Sequence, residues 1–167
     1  MRISSVTFEE GGDMIPRKIL VATDGSPSAR AAELFAAGLA DMMGVCSLTV
    51  VTVLTPRGSY TTGDGFSSNA YVDSTDAEVQ QAESIVAEAA ERITAALHHE
   101  GAMVKTVVVE SSSSALGVIE EAHADGGCSL IVMGNRGHGG LANLVMGSVS
   151  TQVLHGAHCP VLNVKQP

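Results

Sequence analysis

The sequence predicts an α/β protein with a five-stranded parallel sheet and helices on both faces, a Rossmann-like architecture. Five short apolar runs alternate along the chain with longer helical stretches, as in successive β-α units. The chain has 167 residues, 45% of them hydrophobic, which is enough for one domain with a sizeable core. The strand order that we predict is 3-2-1-4-5, numbered along the chain.

The five predicted strands are apolar runs bounded by polar or glycine residues, as is typical of buried parallel strands. They cover residues 19–22, 47–54, 103–109, 129–133 and 160–164. Turn-forming residues follow two of them directly, Asp24-Gly25 after the first and Gly134 after the fourth. These two strand ends are therefore the first places to search for a site.

The first two predicted helices have clear start signals. Ser26 and Pro27 provide an N-cap and a first-turn proline for a helix over residues 26–43. Thr75 and Glu78 have the spacing of a capping box, which predicts a helix over residues 75–100. Glycines follow both segments and favour termination.

The last two predicted helices are shorter. Ser112 or Ser113 caps a helix through Ala124, and residues 125–127 form a turn. The fourth helix begins at Ser148 and ends near His155, after which the last strand follows. The alternation of strands and helices is then complete.

Two segments lie outside this regular pattern. We predict that residues 1–14 are a disordered extension and that residues 15–167 form a single domain, with Met14 as an alternative start. Residues 55–74 are rich in Gly, Ser and Thr without periodicity, which predicts a flexible loop. Such a loop is either a lid over a ligand or an unstructured excursion, and the sequence leaves both open.

Composition excludes several classes of partner. The net charge is -9, so long-range electrostatics oppose binding to nucleic acid and to anionic membranes. Three widely spaced cysteines, Cys46, Cys128 and Cys159, suit reduced core thiols better than a disulfide framework. No signal-peptide pattern precedes the first strand, so we expect a cytoplasmic protein.

The most informative motif consists of two segments near the end of the chain. Met133-Gly134-Asn135-Arg136-Gly137 follows the fourth strand, and Gly147-Ser148-Val149-Ser150 comes nine residues later and opens a helix. Glycines let the backbone approach an anion closely, and a helix N-terminus offers free amides and a positive dipole end. Amides from both segments, with the serine hydroxyls, therefore predict a phosphate site.

Two other glycine motifs do not fit. A Walker loop needs a lysine beside Ser148, and there is none. A dinucleotide fingerprint belongs after the first strand, where the chain has Thr23-Asp24-Gly25-Ser26-Pro27. In a 3-2-1-4-5 sheet, ligands bind where the order reverses, between strands one and four. Asp24 is therefore expected at the site, although it is also explained as a capping residue of the first helix.

The spacing Gly-x2-Gly-x9-Gly-Ser, the acid Asp24 and the ending His158-Cys159-Pro160-Val161-Leu162-Asn163-Val164 resemble the universal stress protein family, specifically its ATP-binding branch. The resemblance runs from about Arg17 to Lys165. It implies ATP, with or without Mg²⁺, as the ligand. It also implies a homodimer that pairs the last strand, Val161–Val164, across two subunits, and an unidentified protein partner.

The resemblance assigns individual residues as well. Ala22 and Thr23 border the adenine and ribose, Val53 contacts the adenine, and Asp24 lies near the nucleoside. The residues implied to wrap the ribose and phosphates are Met133, Gly134, Asn135, Arg136, Gly137, His138 and Gly139. The residues implied to hold the phosphates are Gly147, Ser148, Val149 and Ser150.

These features favour an ATP-binding regulatory protein of the stress response over an enzyme. Hydrolysis needs a positioned water and charge neutralisation, and only Asp24, Arg136 and His138 are candidates, so no catalytic residue is assigned. A slow ATPase or nucleotidyl transferase remains one alternative, and a binder of AMP or cyclic AMP is another.

No protein metal site is predicted. His155, His158 and Cys159 are close in sequence, but histidines at the end of a helix are explained by their interaction with the helix dipole.

Overall fold

The computed structural model describes residues 17–44, 47–56, 60–61, 67–68, 74–98, 101–137 and 146–166. The predicted N-terminal extension lies outside these residues, and so does most of the loop predicted for residues 55–74. His138, Gly139 and Cys46 lie outside them as well. The sheet and its helices lie inside.

Seven strands are present in the described part of the chain. In chain order they are β1 (Lys18–Ala22), β2 (Ser47–Leu54), β3 (Tyr60–Thr61), β4 (Ser67–Ser68), β5 (Met103–Glu110), β6 (Leu130–Gly134) and β7 (Val161–Val164). Five of them form a parallel sheet of order β5-β2-β1-β6-β7. In the numbering of the predicted strands this is 3-2-1-4-5, so the predicted topology is confirmed. The two-residue strands β3 and β4 pair antiparallel, a feature that the sequence did not predict.

The four α-helices within the described residues begin close to their predicted capping residues. They are α1 (Pro27–Met43), α2 (Asp76–Ala96), α3 (Ser114–His123) and α4 (Ser148–Gly156). Ser113, not Ser112, caps α3, since its hydroxyl accepts a hydrogen bond from the Leu116 amide. The α2 helix ends earlier than predicted because Leu97 is extended and the amide of His98 donates to the Asp41 carboxylate at 2.9 Å.

Helices cover both faces of the sheet, as predicted. On one face α1 and α2 enclose an apolar cluster with β1, β2 and β6; its largest buried members are Ile19, Val21, Leu48, Val50, Ile93 and Val132. On the other face α3 and α4 enclose a second cluster, whose largest buried members are Leu20, Val51, Ile131, Met133 and Val153. Because β1 and β6 contribute side chains to both clusters, they are fixed in the centre of the molecule.

The register of the central strands positions the site. Ala22 at the end of β1 lies beside Met133 in β6. After this point the segments that follow the two strands leave the sheet. The segment after β1 leads to α1 on one face, and the segment after β6 leads to α4 on the other. The strand order therefore reverses between β1 and β6, which is the position where α/β sheets bind ligands.

Candidate functional site

The turn after β1 forms one wall of the site. The Asp24 carboxylate accepts a hydrogen bond from the Ser26 amide at 3.0 Å, and the Gly25 amide donates to the Thr23 hydroxyl at 3.1 Å. Gly25 has φ 75°, a conformation that side chains rarely adopt. Ser26 then caps α1 by accepting from the Ala29 amide at 3.2 Å. Asp24 thus shapes the turn, while Ser26 provides the helix cap.

The glycine loop after β6 lies directly against this turn. A Cβ atom added to Gly137 would overlap Oδ2 of Asp24, so only glycine fits without a shift. The Ser26 hydroxyl also donates to the Arg136 carbonyl at 3.4 Å. The predicted meeting of Asp24 with the glycine segment is therefore present in the structure.

The two halves of the predicted phosphate motif lie side by side. The Gly147 amide donates to the Asn135 carbonyl at 2.7 Å, and the Ser150 hydroxyl donates to the Gly134 carbonyl at 2.9 Å. A Cβ on Gly147 would stand 3.4 Å from the Arg136 Cα. These contacts hold the start of α4 against the glycine loop, as the motif requires.

Two members of this motif have internal roles that the sequence did not indicate. A Cβ on Gly134 would lie 2.7 Å from the Ser28 carbonyl carbon, so this glycine lets the end of β6 pack on α1. The Ser150 hydroxyl, 3% exposed as a residue, donates to the protein rather than toward solvent. Both residues build the cradle rather than line it.

The first turn of α4 has no side-chain cap. Gly147 occupies the N-cap position and has no side chain to accept from the first amides, while the Thr151 hydroxyl donates to the Gly147 carbonyl at 2.9 Å. Ser148 is exposed there and Val149 is half-buried. The first amides of a helix have no intrahelical acceptor, and the dipole makes this end positive. An anion is the ligand that such an end favours.

A cleft of about 360 Å³ opens on the α1 side of the glycine loop. Its volume is within the range of small-ligand sites. Nε of Arg136 is buried without a hydrogen-bond partner in the described structure, so its donor is unsatisfied. The cleft is lined by Ser26, Pro27, Ser28, Asn135, Arg136, Gly137, Lys165 and Gln166.

A buried polar network supports the turn from below, and the sequence did not predict it. Glu33 in α1 is fully buried; its carboxylate accepts from the Thr23 hydroxyl at 2.6 Å and from Nε of Arg92 at 2.8 Å. The bond to Glu33 raises the pKa of Arg92. The Thr52 hydroxyl donates to the Thr23 carbonyl at 2.7 Å. Thr23 is therefore fixed by its side chain and its backbone together.

A signal for this network was available in the sequence. Glu33 lies on the alanine-rich face of α1 that packs into the core, with Ala29, Ala32, Ala36 and Ala37. An acid at a core position of an amphipathic helix needs a buried partner, because an unpaired carboxylate is costly in the interior.

The predicted site residues separate into three groups. Val53 lies on β2, half-buried, where its side chain packs against α3 at Gly117. His138 and Gly139 lie outside the described residues. The residues gathered at the carboxyl edge of β1 and β6 are Ala22, Thr23, Asp24, Met133, Gly134, Asn135, Arg136, Gly137, Gly147, Ser148, Val149 and Ser150.

Asn135 holds this edge together from within. It is 8% exposed; its side-chain oxygen accepts from the Ser28 hydroxyl at 3.0 Å and its amide donates to the Val164 carbonyl at 2.9 Å. Asn135 thus ties the glycine loop to α1 and β7.

The described part of the chain contains no group of three or more side chains suited to a protein metal site. His155 directs Nδ1 to the Thr151 carbonyl at 2.7 Å, within its own helix. Among the described residues, no helix has both the length and the apolar character needed to cross a membrane.

Comparison with known proteins identifies a family that this chain matches and solved structures that it resembles. The profile of the universal stress protein family matches residues 16–165. A stretch of 38 residues is 55% identical to universal stress protein MJ0531 of Methanocaldococcus jannaschii. That stretch is 23% of this chain and spans 22% of the relative's length.

Several solved structures share the fold. The hypothetical protein MJ0577 aligns with a TM-score of 0.69 at 18% identity, covering 92% of this chain and 98% of that one. A universal stress protein in complex with cAMP aligns at 0.65 and 23% identity, covering 92% and 99%. The universal stress protein of Archaeoglobus fulgidus in complex with dAMP aligns at 0.64 and 23% identity, covering 90% and 99%.

Proposed function

The chain belongs to the universal stress protein family, and on that premise we propose that it is a regulatory protein of the stress response that binds ATP. One observation carries the proposal. The hydrogen bonds from Gly147 to Asn135 and from Ser150 to Gly134 hold an uncapped helix start beside a glycine loop. Phosphate oxygens are the acceptors that such amides favour, and a polyphosphate tail can reach donors on both segments.

The nucleoside belongs on the β1 side of this cradle. Ala22 and Thr23 end β1, and the Asp24 carboxylate lies against Gly137. Carboxylates accept hydrogen bonds from ribose hydroxyls, which suits the role that the family resemblance gives this acid. The buried bond from Thr23 to Glu33 keeps this wall in one conformation.

Charge neutralisation sets the condition for binding. The chain carries a net charge of -9, which opposes a polyanion at long range. Arg136, with its unsatisfied Nε, supplies positive charge at the loop, and Mg²⁺ bound to the phosphates would supply more. We therefore expect ATP to bind more tightly with Mg²⁺ than without it.

The same cradle supports a second candidate, an adenosine monophosphate or cyclic AMP binder. Related proteins have been solved in complex with cAMP and with dAMP, and each of these two ligands has one phosphate. Only a polyphosphate uses donors on both the glycine loop and α4. Competition calorimetry with ATP, AMP and cyclic AMP separates the candidates, because the ATP proposal requires that ATP binds more tightly than either monophosphate.

A slow ATPase or nucleotidyl transferase is the enzymatic alternative. Asp24 and Arg136 are the described candidates for orienting water and neutralising charge. Phosphate release with and without Mg²⁺, compared between the wild type and Asp24→Ala, tests it. A rate above buffer that falls in the variant supports an enzyme, and a rate equal to buffer supports binding alone.

We also propose a homodimer through β7. This strand, Val161–Val164, is an edge of the sheet: it pairs with β6 on one side, and its four residues are half-buried. Edge strands of this kind need a cover. A second copy would extend the sheet, and nucleotide occupancy would bias the dimer or a protein partner that it recruits. Sedimentation of the wild type against Leu162→Lys tests the dimer; a monomeric wild type contradicts it.

The decisive experiment for the ligand is direct. Protein purified without added nucleotide is denatured, and the supernatant is resolved by chromatography. Recovery of ATP near one equivalent supports the proposal, whereas no nucleotide, together with no heat on ATP titration, contradicts it. Cell fractionation checks the expected cytoplasmic location.

A further inference from the structure

Two cysteines that are far apart in sequence meet at the amino ends of β6 and β7, the end of the sheet that lies opposite the candidate site. Cys128 precedes β6 and Cys159 precedes β7, and these strands are parallel neighbours in which Ile131 pairs with Val161. Their sulfur atoms lie 3.4 Å apart. Both are free thiols, half-buried against the cluster under α3 and α4.

We propose that Cys128 and Cys159 form a reversible dithiol–disulfide site, oxidised by a low-molecular-weight disulfide. The inference is independent of the nucleotide proposal, since it depends only on the two thiols and the strands that carry them. It gives the cysteines a chemical role, in addition to the packing role that the sequence predicted.

The backbone holds the two thiols in position for bond formation. The Cys128 amide donates to the Ala122 carbonyl at 2.8 Å, and the Ile131 amide donates to the Pro160 carbonyl at 3.0 Å. A disulfide bond is about 2.05 Å long, so the sulfur atoms must approach by roughly 1.4 Å. We expect rotation of the two side chains to cover this distance while the strands stay paired.

The reaction proceeds by two thiol–disulfide exchanges. The Cys159 thiolate attacks one sulfur of the small disulfide, forming a mixed disulfide and releasing one small thiolate. Cys128, as its thiolate, then attacks the Cys159 sulfur; the protein disulfide forms and the second small thiolate leaves. Two protons pass from the cysteines to the released thiols. The protein dithiol loses two electrons and the small disulfide gains them.

The order of these steps follows from the environment of Cys128. Burial, reinforced by the hydrogen bond to Cys159, raises the pKa of Cys128 to about 12. Cys128 is therefore a poor first nucleophile, and its attack in the second step needs a deprotonated thiol. We expect ring closure to accelerate as the pH rises from 7 to 9.

The cross-link would enclose the whole phosphate motif. The ring runs from Cys128 through β6, the glycine loop and α4 to Cys159, a separation of 31 residues. A ring of this size restricts the unfolded chain, and we expect the Tm of the oxidised protein to rise by about 5–10 °C.

The test uses the full chain with Cys46→Ser, which leaves only the two cysteines of interest. The protein is equilibrated in glutathione redox buffers of increasing glutathione disulfide content, quenched by acid and assayed for free thiols. Peptide mapping identifies the cross-link and dithiothreitol reverses it. Matched controls carry Cys128→Ser or Cys159→Ser in the same background.

The expected result is a monomeric chain that loses both thiols together, with a Cys128–Cys159 peptide and a higher Tm, while each control retains at most a mixed disulfide. Two thiols that persist in the folded protein at high glutathione disulfide overturn the proposal. A stable mixed disulfide at one cysteine, or cross-links only between chains, overturns it equally. Denaturation by urea before oxidation supplies the reference: the folded protein must close the ring at a lower fraction of glutathione disulfide than the unfolded chain.

Discussion

Two helices begin on either side of the glycine loop, and their N-termini are built differently. At α1, Ser26 accepts from the Ala29 amide and Pro27 removes a further donor from the first turn. At α4, Gly147 occupies the cap position and provides no side chain that could accept from the first amides. The other long helices, α2 and α3, have Thr75 and Ser113 as caps.

This difference indicates which helix N-terminus serves stability and which one is suited to a ligand. A side-chain cap contributes about 1 kcal/mol to stability, so a helix without one forgoes that contribution. Gly147 is held instead through its own backbone, by the bond from its amide to Asn135. The α1 end is completed by a side chain, whereas the α4 end has no N-cap side chain, and we propose that an external anion binds there.

The largest expected effect is a loss of stability when the ion pair between Arg92 and the buried Glu33 carboxylate in α1 is removed. Arg92→Met leaves the buried Glu33 carboxylate without its cation, and we expect a loss of about 3 kcal/mol in the free energy of unfolding. Urea denaturation measures the loss. Glu88→Gln, which removes only the exposed partner of Arg92, should cost under about 0.5 kcal/mol; an equal loss in both variants would refute the role of Glu33.

The next largest effect is a loss of ATP affinity when the uncapped start of α4 is given a carboxylate cap. Gly147→Asp adds a carboxylate cap where we place the phosphates, and its Cβ meets its nearest neighbours at a tolerable 3.4 Å. We expect ATP affinity to fall roughly 100-fold, since like charges about 6 Å apart at an effective dielectric of about 20 repel by nearly 3 kcal/mol. Gly147→Asn caps without charge and should lose far less. Calorimetry decides, and equal binding by both variants and the wild type would refute the site.

A smaller effect tests the contact between the two sides. Gly137→Ala places a methyl group on Oδ2 of Asp24, so the carboxylate must rotate away from the Ser26 amide, and we expect a cost of about 1 kcal/mol in stability. The double variant Gly137→Ala, Asp24→Ala removes the overlap. A double-mutant cycle by urea denaturation should therefore show a coupling of at least about 1 kcal/mol. Additive losses would mean that the two residues do not touch.

The smallest effect separates stability from binding. Ser26→Ala removes the α1 cap and should cost about 1 kcal/mol, much as Ser113→Ala should at α3. ATP affinity should stay within about twofold of the wild type in Ser113→Ala, which lies outside the proposed site, whereas Ser26 lines the cleft beside the glycine loop and contacts the Arg136 carbonyl. Thermal unfolding and calorimetry on the same samples check this, and a large affinity loss in Ser26→Ala would place the ligand against α1 instead.

The fold was predictable because its signals are local. Apolar runs, capping residues and glycine stops predicted the strands and helices, and their alternation indicated a parallel sheet with helices on both faces. The convergence of Asp24 with the glycine segments followed from the strand order, since parallel strands end at one edge.

The rest depended on tertiary contacts that no local pattern encodes. Gly134 is required by the close approach of α1, and the Ser150 hydroxyl is directed inward by the seating of α4 on β6. The meeting of Cys128 and Cys159 follows from the register of β6 and β7, which depends on the packing of both helix layers. Glu33 was the exception, since an acid on an alanine face was a signal that we did not use.

The bond between the Gly147 amide and the Asn135 carbonyl has a practical consequence for protein engineering. It joins two residues that are twelve positions apart, so a circularly permuted chain with new ends between them would have to remake this contact without the covalent connection. We expect such a permutant to hold α4 against the glycine loop less firmly than the native chain does.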